Sequence, residues 1–193
     1  MTHDSASRDG HFAIRKAAAV LRSGGLVAYP TEGVYGLGCD PLDANAVLRL
    51  LEVKHRPMHK GLILIAARFA HLEPFIGQLS SAEYDKAMAT WPGPVTWVMP
   101  ARPDTPKWLR GNHASIAVRV TAHPLAASLC QAFGGAIVST SANLAGRPPA
   151  RNALQARLRT GSGADYVLCG ETGGRQAPTP IFDVRNGSRL RAG

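Results

Sequence analysis

Short apolar runs and helical segments alternate along the whole of this 193-residue chain. Continuous apolar runs such as residues 62–65 are typical of strands that are covered on both faces, whereas residues 14–21 repeat apolar side chains at helical spacing. We find no internal repeat and no long linker between these segments. The alternation therefore predicts an α/β fold, with an open, twisted, mixed sheet and helices on its faces.

Cap and turn residues divide this alternation into elements. Asp43 can cap one helix, and Ser80 and Glu83 have the spacing of a capping box that opens another. Helices are predicted over residues 12–24, 43–54, 80–91, 123–133 and 152–159, and strands over residues 26–29, 62–65, 95–99, 116–120, 136–139, 166–168 and 181–184. Residues 1–10 are polar and aperiodic, so we expect a flexible N-terminus, followed by a single domain over residues 11–193.

The charge and the cysteines limit the possible partners and the compartment. Lys and Arg number 22 against 13 Asp and Glu, and the net charge of +9 favours a polyanionic partner, although a basic surface can also serve solubility alone. Three cysteines, Cys39, Cys130 and Cys169, are too few and too scattered for a disulfide framework or a CxxC zinc site. With no apolar run long enough to cross a membrane and no signal pattern, we expect a cytoplasmic protein.

Two loops that follow predicted elements carry candidate ligand-binding groups. Residues 30–38, Pro-Thr-Glu-Gly-Val-Tyr-Gly-Leu-Gly, form a glycine-rich turn that could let backbone approach a ligand, or that is simply a tight turn. Lys54 and Arg56, with Lys60 nearby, place fixed positive charges where a helix ends, which suits phosphate binding. Cations are also favoured at any helix C-terminus, so both explanations stay open.

A third loop, residues 139–143, has the sequence Ser-Thr-Ser-Ala-Asn directly after an apolar strand. Ser139, Ser141 and Asn143 share a parity, so in an extended chain they would point to one side as convergent donors and acceptors; a local turn of hydroxyl side chains is the alternative. Residues 91–96, a fourth loop, are interpreted as a structural corner. We expect the basic pair and the hydroxyl-and-amide stretch to face each other across one pocket.

Several common catalytic patterns do not occur in the sequence. It contains no HExxH pair, no Walker A motif, no GxGxxG that opens a helix and no GxSxG elbow. These observations argue against a zincin-type metal site, a P-loop, a Rossmann cofactor and a hydrolase of the serine elbow type. His123, before Pro124 at a predicted helix start, is interpreted as structural.

Taken together and in this order, the segments PTEGVYGLG, KHRP with KGLILIA, WPGPVT, AVRVTAHP and STSANLAG resemble the YrdC/TsaC family. The resemblance extends from about residue 17 to residue 193, and KGLILIA and GETGGR are most similar to the short bacterial form. It implies an α/β sheet around a large basic cleft. It also implies a nucleotidyltransferase reaction that joins L-threonine, bicarbonate and ATP, with Mg²⁺ accompanying the ATP, into threonylcarbamoyl-AMP and pyrophosphate. Other proteins would then transfer the threonylcarbamoyl group to adenosine 37 of tRNAs that read ANN codons.

The resemblance also implies roles for individual residues. The family signature KxR…SxN falls on Lys54, Arg56, Ser141 and Asn143, for ATP binding, with Lys54 and Arg56 acting electrostatically; no acid or base and no protein metal ligand is implied. The residues that the resemblance assigns to L-threonine are Thr31, Arg119, Ser139 and Thr179, and those that it adds to the ATP site are Ser115 and Arg191. The chain departs from the usual family residues at Gly33, Ala145 and Thr179.

Two other functions stay open at this point. The charge of +9 and the cluster Arg147, Arg151, Arg157 and Arg159 are also expected of a module that binds double-stranded RNA or tRNA with little catalysis. Carbamoyl transfer from carbamoyl phosphate is the other alternative, because related domains occur in hydrogenase maturation factors. Those factors carry further domains that do not occur in this sequence.

Overall fold

The computed structural model of the chain describes residues 3–144, 146–176 and 179–191. Its helices are α1 His3–Arg22, α2 Ala44–Val53, α3 Ser81–Met88, α4 Lys107–Arg110, α5 Pro124–Phe133 and α6 Ala153–Thr160. Its strands are β1 Val27–Pro30, β2 Tyr35–Gly38, β3 Ile63–Ala66, β4 Thr96–Pro100, β5 Ser115–Val120, β6 Ile137–Ser141, β7 Tyr166–Val167, β8 Ile181–Asp183 and β9 Arg189–Arg191. Short 3₁₀ turns cover Met58–Lys60, Phe69–His71, Glu73–Phe75 and Gly161–Gly163.

Within the described residues, the strands form one open sheet in the order β7-β1-β2-β6-β3-β5-β4-β8-β9. The pairs β1–β7, β3–β5 and β4–β8 are parallel, and the remaining pairs are antiparallel. The predicted mixed sheet is therefore confirmed. The order also brings β5 and β6 to either side of β3, so loops that are far apart in sequence meet at one edge.

Neighbouring residues of the central strands belong to two different cores. Leu64 of β3 packs in a cluster with α2, whereas Ile65 packs in a cluster with α1 and α5. This is the period of two that a strand covered on both faces requires. Helices therefore lie on both faces of the sheet, as predicted, and the polar groups of the central strands are left to the strand ends.

The predicted caps are present. Asp43 Oδ1 accepts hydrogen bonds from the backbone N–H groups of Asn45 and Ala46, and Ser80 and Glu83 form the reciprocal capping box. His123 is also structural, since it caps α5 and its Nε2 lies 3.0 Å from the carbonyl oxygen of Glu171. These local signals fix where α2, α3 and α5 begin.

Two predictions about local structure are wrong. Helix α1 begins at His3 and not near residue 12, so residues 3–10 are helical in their backbone. Helix propensity needs no apolar stripe, so apolar periodicity alone did not locate the start of this helix. The second half of the glycine-rich turn is strand β2, between β1 and β6. A Cβ at Gly38 would lie 2.1 Å from the carbonyl oxygen of Val138, so the glycine permits close strand packing where it had suggested a turn.

The structure also contains elements that the sequence analysis did not predict, namely helix α4 and strand β9. Both are very short: α4 has two charged and two apolar residues, and β9 has one leucine between two arginines, so neither gives a clear apolar pattern. Among the described residues, no helix is both long and apolar enough to span a membrane.

Candidate functional site

A cleft of about 650 Å³ lies where strands β2, β5, β6, β8 and β9 and the segment between α2 and β3 come together. Eight of the ten predicted site residues line it, although they are far apart in the sequence. They are Thr31, Arg56, Ser115, Arg119, Ser139, Ser141, Thr179 and Arg191. The fold therefore gathers the basic segment after α2 and the hydroxyl stretch at the end of β6 around one cavity.

Lys54 and Asn143, the other two predicted site residues, are not among the residues that line the cleft. The ammonium group of Lys54, which is 5% exposed, donates to the carbonyl oxygens of Ser141 and Asn143 and to Asn143 Oδ1. Asn143 Oδ1 also accepts from Ser141 Oγ at 2.5 Å. Because an ammonium group has three protons, these contacts use its whole donor capacity. Contact of Lys54 or Asn143 with a nucleotide stays a prediction. In the structure, the hydrogen bonds of Lys54 connect the end of α2 to the loop after β6.

Burial and the neighbouring Arg56 lower the pKa of Lys54 to about 8. Arg56 lies on the cleft side of this pair, where its Nε and Nη2 donate to the carbonyl oxygen of Gly61 at 3.2 and 2.8 Å. Its remaining N–H groups are the donors that a phosphate could take. The two members of the basic pair therefore differ: Lys54 supports the loop, and Arg56 faces the cavity.

Arg119 is the most buried cation of the cleft lining, at 5% exposure. Its Nη1 donates to Thr179 Oγ1 at 2.8 Å, and its Nη2 lies 3.6 Å from Oε2 of Glu32. Within the described part of the chain, Arg119 Nε and Glu32 Oε2 are buried without a hydrogen-bond partner. The pair is thus close enough for electrostatic attraction but is not closed by a hydrogen bond.

Glu32 has no role in the sequence analysis, although it lies within the glycine-rich motif. Its Oε1 accepts from Thr121 Oγ1 at 2.6 Å and from the Ala122 N–H at 3.2 Å. Burial raises the pKa of Glu32, but Arg119 and these hydrogen bonds outweigh it, so the net pKa lies below its ordinary value. The only sign of a role for Glu32 in the sequence was an acidic residue beside Thr31 in a motif of mostly uncharged residues. The pairing of Glu32 with Arg119 depends on the placement of β5.

The arginines that line the cleft influence one another. Burial lowers the pKa of Arg191, and the charges of Arg119 and Arg56 lower it further. In the part of the chain that the structure describes, Asp183 is the single acid of the lining, and Arg185 holds it at 2.7 Å. Arg56, Arg119 and Arg191 therefore share a cavity with little compensating negative charge on its wall, which suits an anionic ligand.

Further polar residues at the cleft were not assigned from the sequence. Lys60 was noted there as a nearby cation, and it does line the cleft. Arg110, the last residue of the unpredicted helix α4, and His113, which follows that helix, also line the cleft. They were not assigned because this part of the sequence carries no recognisable pattern. Ala145, named above as a departure from the family, lies outside the described residues.

Two other surface features lie outside this lining. A more open concavity of about 690 Å³ runs beside α3 and contains Phe69, Tyr84 and Arg102 but none of the predicted site residues, all of which the structure describes. The arginine cluster lies on and before α6, where Arg151 donates to the carbonyl oxygen of Gln176 and Arg159 to that of Pro148. Part of its donor capacity is therefore used within the protein.

Comparison with protein-family profiles matches residues 19–193 to the family described as "Telomere recombination", which groups Sua5, YciO and YrdC proteins. A threonylcarbamoyl-AMP synthase of Nitrosococcus oceani is 55% identical over 178 residues, which cover 92% of this chain and 96% of that relative. A threonylcarbamoyl-AMP synthase of Halorhodospira halophila is 53% identical over 180 residues, which cover 93% and 94%.

Among solved structures, the fold is similar to that of P. abyssi Sua5 complexed with L-threonine, with a TM-score of 0.86 and 33% sequence identity. The match covers 93% of this chain and 53% of that chain, so this chain spans about half the length of that structural relative. The similarity therefore extends over nearly all of the sheet and the cleft described above.

Proposed function

The chain belongs to the family of Sua5, YciO and YrdC proteins, and we propose that it is a threonylcarbamoyl-AMP synthase. It uses ATP, L-threonine and bicarbonate to form threonylcarbamoyl-AMP and pyrophosphate, and residues 11–193 are its catalytic domain. One structural observation carries the proposal beyond the similarity. Three arginines from separate parts of the chain and two serines of β6 line a single cleft: Arg56, Arg119, Arg191, Ser139 and Ser141.

We assign the ATP end of the cleft to Arg56 and Arg191, with the hydroxyl groups of Ser115 and Ser141 beside them. A triphosphate carries several negative charges, and guanidinium groups bind phosphate oxygens through paired hydrogen bonds. Lys54 and Asn143 belong to this end as support, because their contacts hold the backbone on which Ser141 is placed.

We assign L-threonine to the Arg119 end of the cleft. A guanidinium group can bind a carboxylate with two parallel hydrogen bonds, which fixes the position of the amino acid as well as its charge. Thr31, Ser139 and Thr179 line the cleft with Arg119 and supply hydroxyl groups for the remaining polar atoms of the substrate. Thr179 also orients the arginine through the 2.8 Å hydrogen bond that it accepts.

The proposed reaction has two steps that this arrangement assists. The amino group of L-threonine first condenses with bicarbonate and loses water, which gives a carbamate. A carbamate oxygen then attacks the α-phosphorus of ATP, the bond from that phosphorus to the bridging oxygen breaks, and pyrophosphate leaves with the electron pair. Both reactants of the second step are anions, so cations and fixed orientation lower the barrier more than an acid or base would.

The donor groups of the cleft fit Mg²⁺ that arrives with ATP. Within the described residues, no group of three or more His, Cys, Asp or Glu side chains could hold a metal ion, and Asp183 is already paired with Arg185. Phosphate oxygens of the nucleotide would then hold the ion, and the hydroxyl groups of Ser115 and Ser141 line the same cleft. When bound, the ion neutralises charge on the triphosphate.

We place this reaction in the cytoplasm, where the product would pass to the proteins that transfer the threonylcarbamoyl group to adenosine 37 of tRNA. Direct RNA binding is a second candidate property. Arg147, Arg151 and Arg157 are exposed, and exposed arginines favour phosphate contacts. RNA affinity that falls steeply with salt would support it, whereas affinity independent of salt would exclude phosphate binding as its basis.

Isotopically labelled bicarbonate tests the proposed reaction directly. Purified protein is incubated with ATP, L-threonine and the label, and the nucleotide fraction is separated by chromatography. We expect the label in a new adenylate that forms only when L-threonine is present. Label that never enters a nucleotide would refute the assignment, and transfer from carbamoyl phosphate in place of bicarbonate would favour carbamoyl transfer.

A further inference from the structure

Glu32 and Arg119 form a buried ion pair just behind the cleft wall, with side-chain exposures of 8% and 6%. Arg119 lines the cleft, whereas Glu32 does not. Their nearest charged atoms are 3.6 Å apart, and Glu32 Oε2 and Arg119 Nε lack hydrogen-bond partners among the described residues. Buried charges usually complete their hydrogen bonds, so this incomplete pair requires an explanation.

Glu32 is held firmly although its pairing with Arg119 is loose. Thr121 Oγ1 and the Ala122 N–H both donate to Glu32 Oε1, and the Arg175 N–H donates to the backbone oxygen of Glu32 at 3.1 Å. A Cβ at Gly173 would lie only 2.9 Å from that oxygen, so glycine is needed for the close approach of this loop. The Glu32 carboxylate is therefore a fixed negative charge beside Arg119.

Arg119 has few other contacts that could define its orientation. Besides Glu32, its guanidinium donates to Thr179 Oγ1 at 2.8 Å and lies 3.5 Å from Thr96 Oγ1. A hydroxyl group accepts a hydrogen bond but does not offset a positive charge. Glu32 is thus the fixed negative charge that compensates Arg119 from the side away from the cleft.

We infer that Glu32 is a positioning residue for substrate binding: it holds the Arg119 guanidinium so that the fork facing the cleft can take the carboxylate of an amino acid. This inference rests on the proposed function, because it needs L-threonine as the ligand of Arg119. Glu32 Oε2, at 3.6 Å from Arg119 Nη2, attracts the guanidinium electrostatically without accepting a hydrogen bond from it. The guanidinium therefore keeps N–H donors for the substrate. Glu32 touches no substrate in this account and acts through Arg119 alone.

Glu32→Gln tests this inference, because it keeps the size of the side chain and an acceptor for Thr121 while removing the charge. We expect the KM for L-threonine to rise about 10-fold or more, while the KM for ATP stays within about twofold of the wild-type value. Glu32→Asp, which restores the charge, is expected to recover part of the loss. A loss of folding alone would lower the active fraction and leave both KM values unchanged.

Asp165→Asn is the matched control, since Asp165 also forms an ion pair with an arginine but lies outside the cleft lining. Its KM for L-threonine should equal that of the wild type. If Glu32→Gln does not fold, Thr121→Val loosens the same carboxylate and should raise the same KM by a smaller factor.

A folded Glu32→Gln, or in its place a folded Thr121→Val, with the wild-type KM for L-threonine would overturn the inference. Wild-type protein that forms adenylate without any need for L-threonine would instead remove the proposed function, and the inference with it. The two failures are therefore distinguishable in one set of assays.

Discussion

Two ion pairs of this protein are built in opposite ways. Arg49 and Asp165 lie on the surface, about 40% and 36% exposed, and are joined by two hydrogen bonds of 2.8 and 2.7 Å. Glu32 and Arg119 are almost completely buried, yet their nearest charged atoms are 3.6 Å apart. Of these two pairs, the exposed pair is joined by hydrogen bonds, whereas the buried pair is not.

The difference indicates that hydrogen-bonding capacity is kept at the buried pair and not at the exposed one. The exposed pair lies outside the cleft lining, so its two side chains are free to hydrogen-bond each other fully. Such an exposed pair contributes little to the free energy of folding. Burial makes an incompletely bonded charge costly, so the buried pair persists only because the surrounding contacts hold its members in place. Its arginine lines the cleft, and we assign the Nη groups of Arg119, rather than the fully buried Nε, to a substrate.

The largest effect is expected when the buried pair loses its arginine. Arg119→Ala removes the proposed carboxylate ligand, and we expect kcat/KM for L-threonine to fall by about 10²-fold or more. Arg119→Lys should recover little, because an ammonium group cannot reproduce the planar fork. Arg49→Ala, the same change in the exposed pair, should leave the kinetics unchanged. Equal losses in Arg49→Ala and Arg119→Ala would contradict the distinction between the two pairs.

Arg56→Ala extends the comparison to a cleft arginine that has no acid partner among the described residues. We expect the rate to fall by about 10²-fold, because one preorganised electrostatic contact to the triphosphate is lost. In steady-state kinetics, we expect kcat/KM for ATP to fall, while the KM for L-threonine stays nearly constant. Arg102→Ala serves as the control, since Arg102 pairs with exposed Asp104 outside the cleft lining. A change confined to L-threonine would reverse our assignment of the two ends.

The buried cation Lys54 gives a smaller effect that depends on pH. Its folded pKa of about 8 lies below the ordinary value of 10.5, so the folded protein releases this proton more readily than the unfolded chain does. Unfolding then takes up a proton between about pH 8 and pH 10.5, and this group's contribution to stability rises with pH over that window. Denaturation curves should show that the free energy of unfolding of the wild type increases relative to that of Lys54→Met as pH rises from 8. A constant difference between them would show that Lys54 keeps an ordinary pKa.

The smallest effect is expected at the exposed pair. Asp165→Asn should lower the free energy of unfolding by about 1 kcal/mol or less, because water already solvates both partners and the amide oxygen can still accept from the Leu26 N–H. Chemical denaturation at low and high salt measures this difference, which should shrink as salt screens the pair. A loss of several kcal/mol would mean that the hydrogen bonds between Arg49 and Asp165 stabilise the protein more than the exposure of the pair indicates.

The sequence predicted the architecture because its signals are local. The apolar run of β3, the Asp43 cap and the capping box at Ser80 each depend on a few neighbouring residues, and each is present in the structure. Strand β2 was missed because Gly36 and Gly38 have low strand propensity and are placed there for close packing. Helix α4 was missed because four polar and apolar residues form no period.

The site was predictable as a set of residues but not as a geometry. The resemblance named Arg119, Ser141 and Lys54, but it could not separate the groups that face the cleft from those that support it. Lys54 donates the hydrogen bonds of its ammonium group to the loop after β6. These bonds depend on the distance between α2 and that loop, which the sequence does not give. The role of Glu32 similarly depends on the packing of β5 against the glycine-rich loop, which no local pattern encodes.

The decisive measurement is pyrophosphate release by the wild-type protein with one substrate omitted at a time. We expect release that requires ATP, L-threonine and bicarbonate together and that is nearly lost in both Arg56→Ala and Arg119→Ala. Release at the same rate without L-threonine, or with either arginine removed, would contradict this expectation.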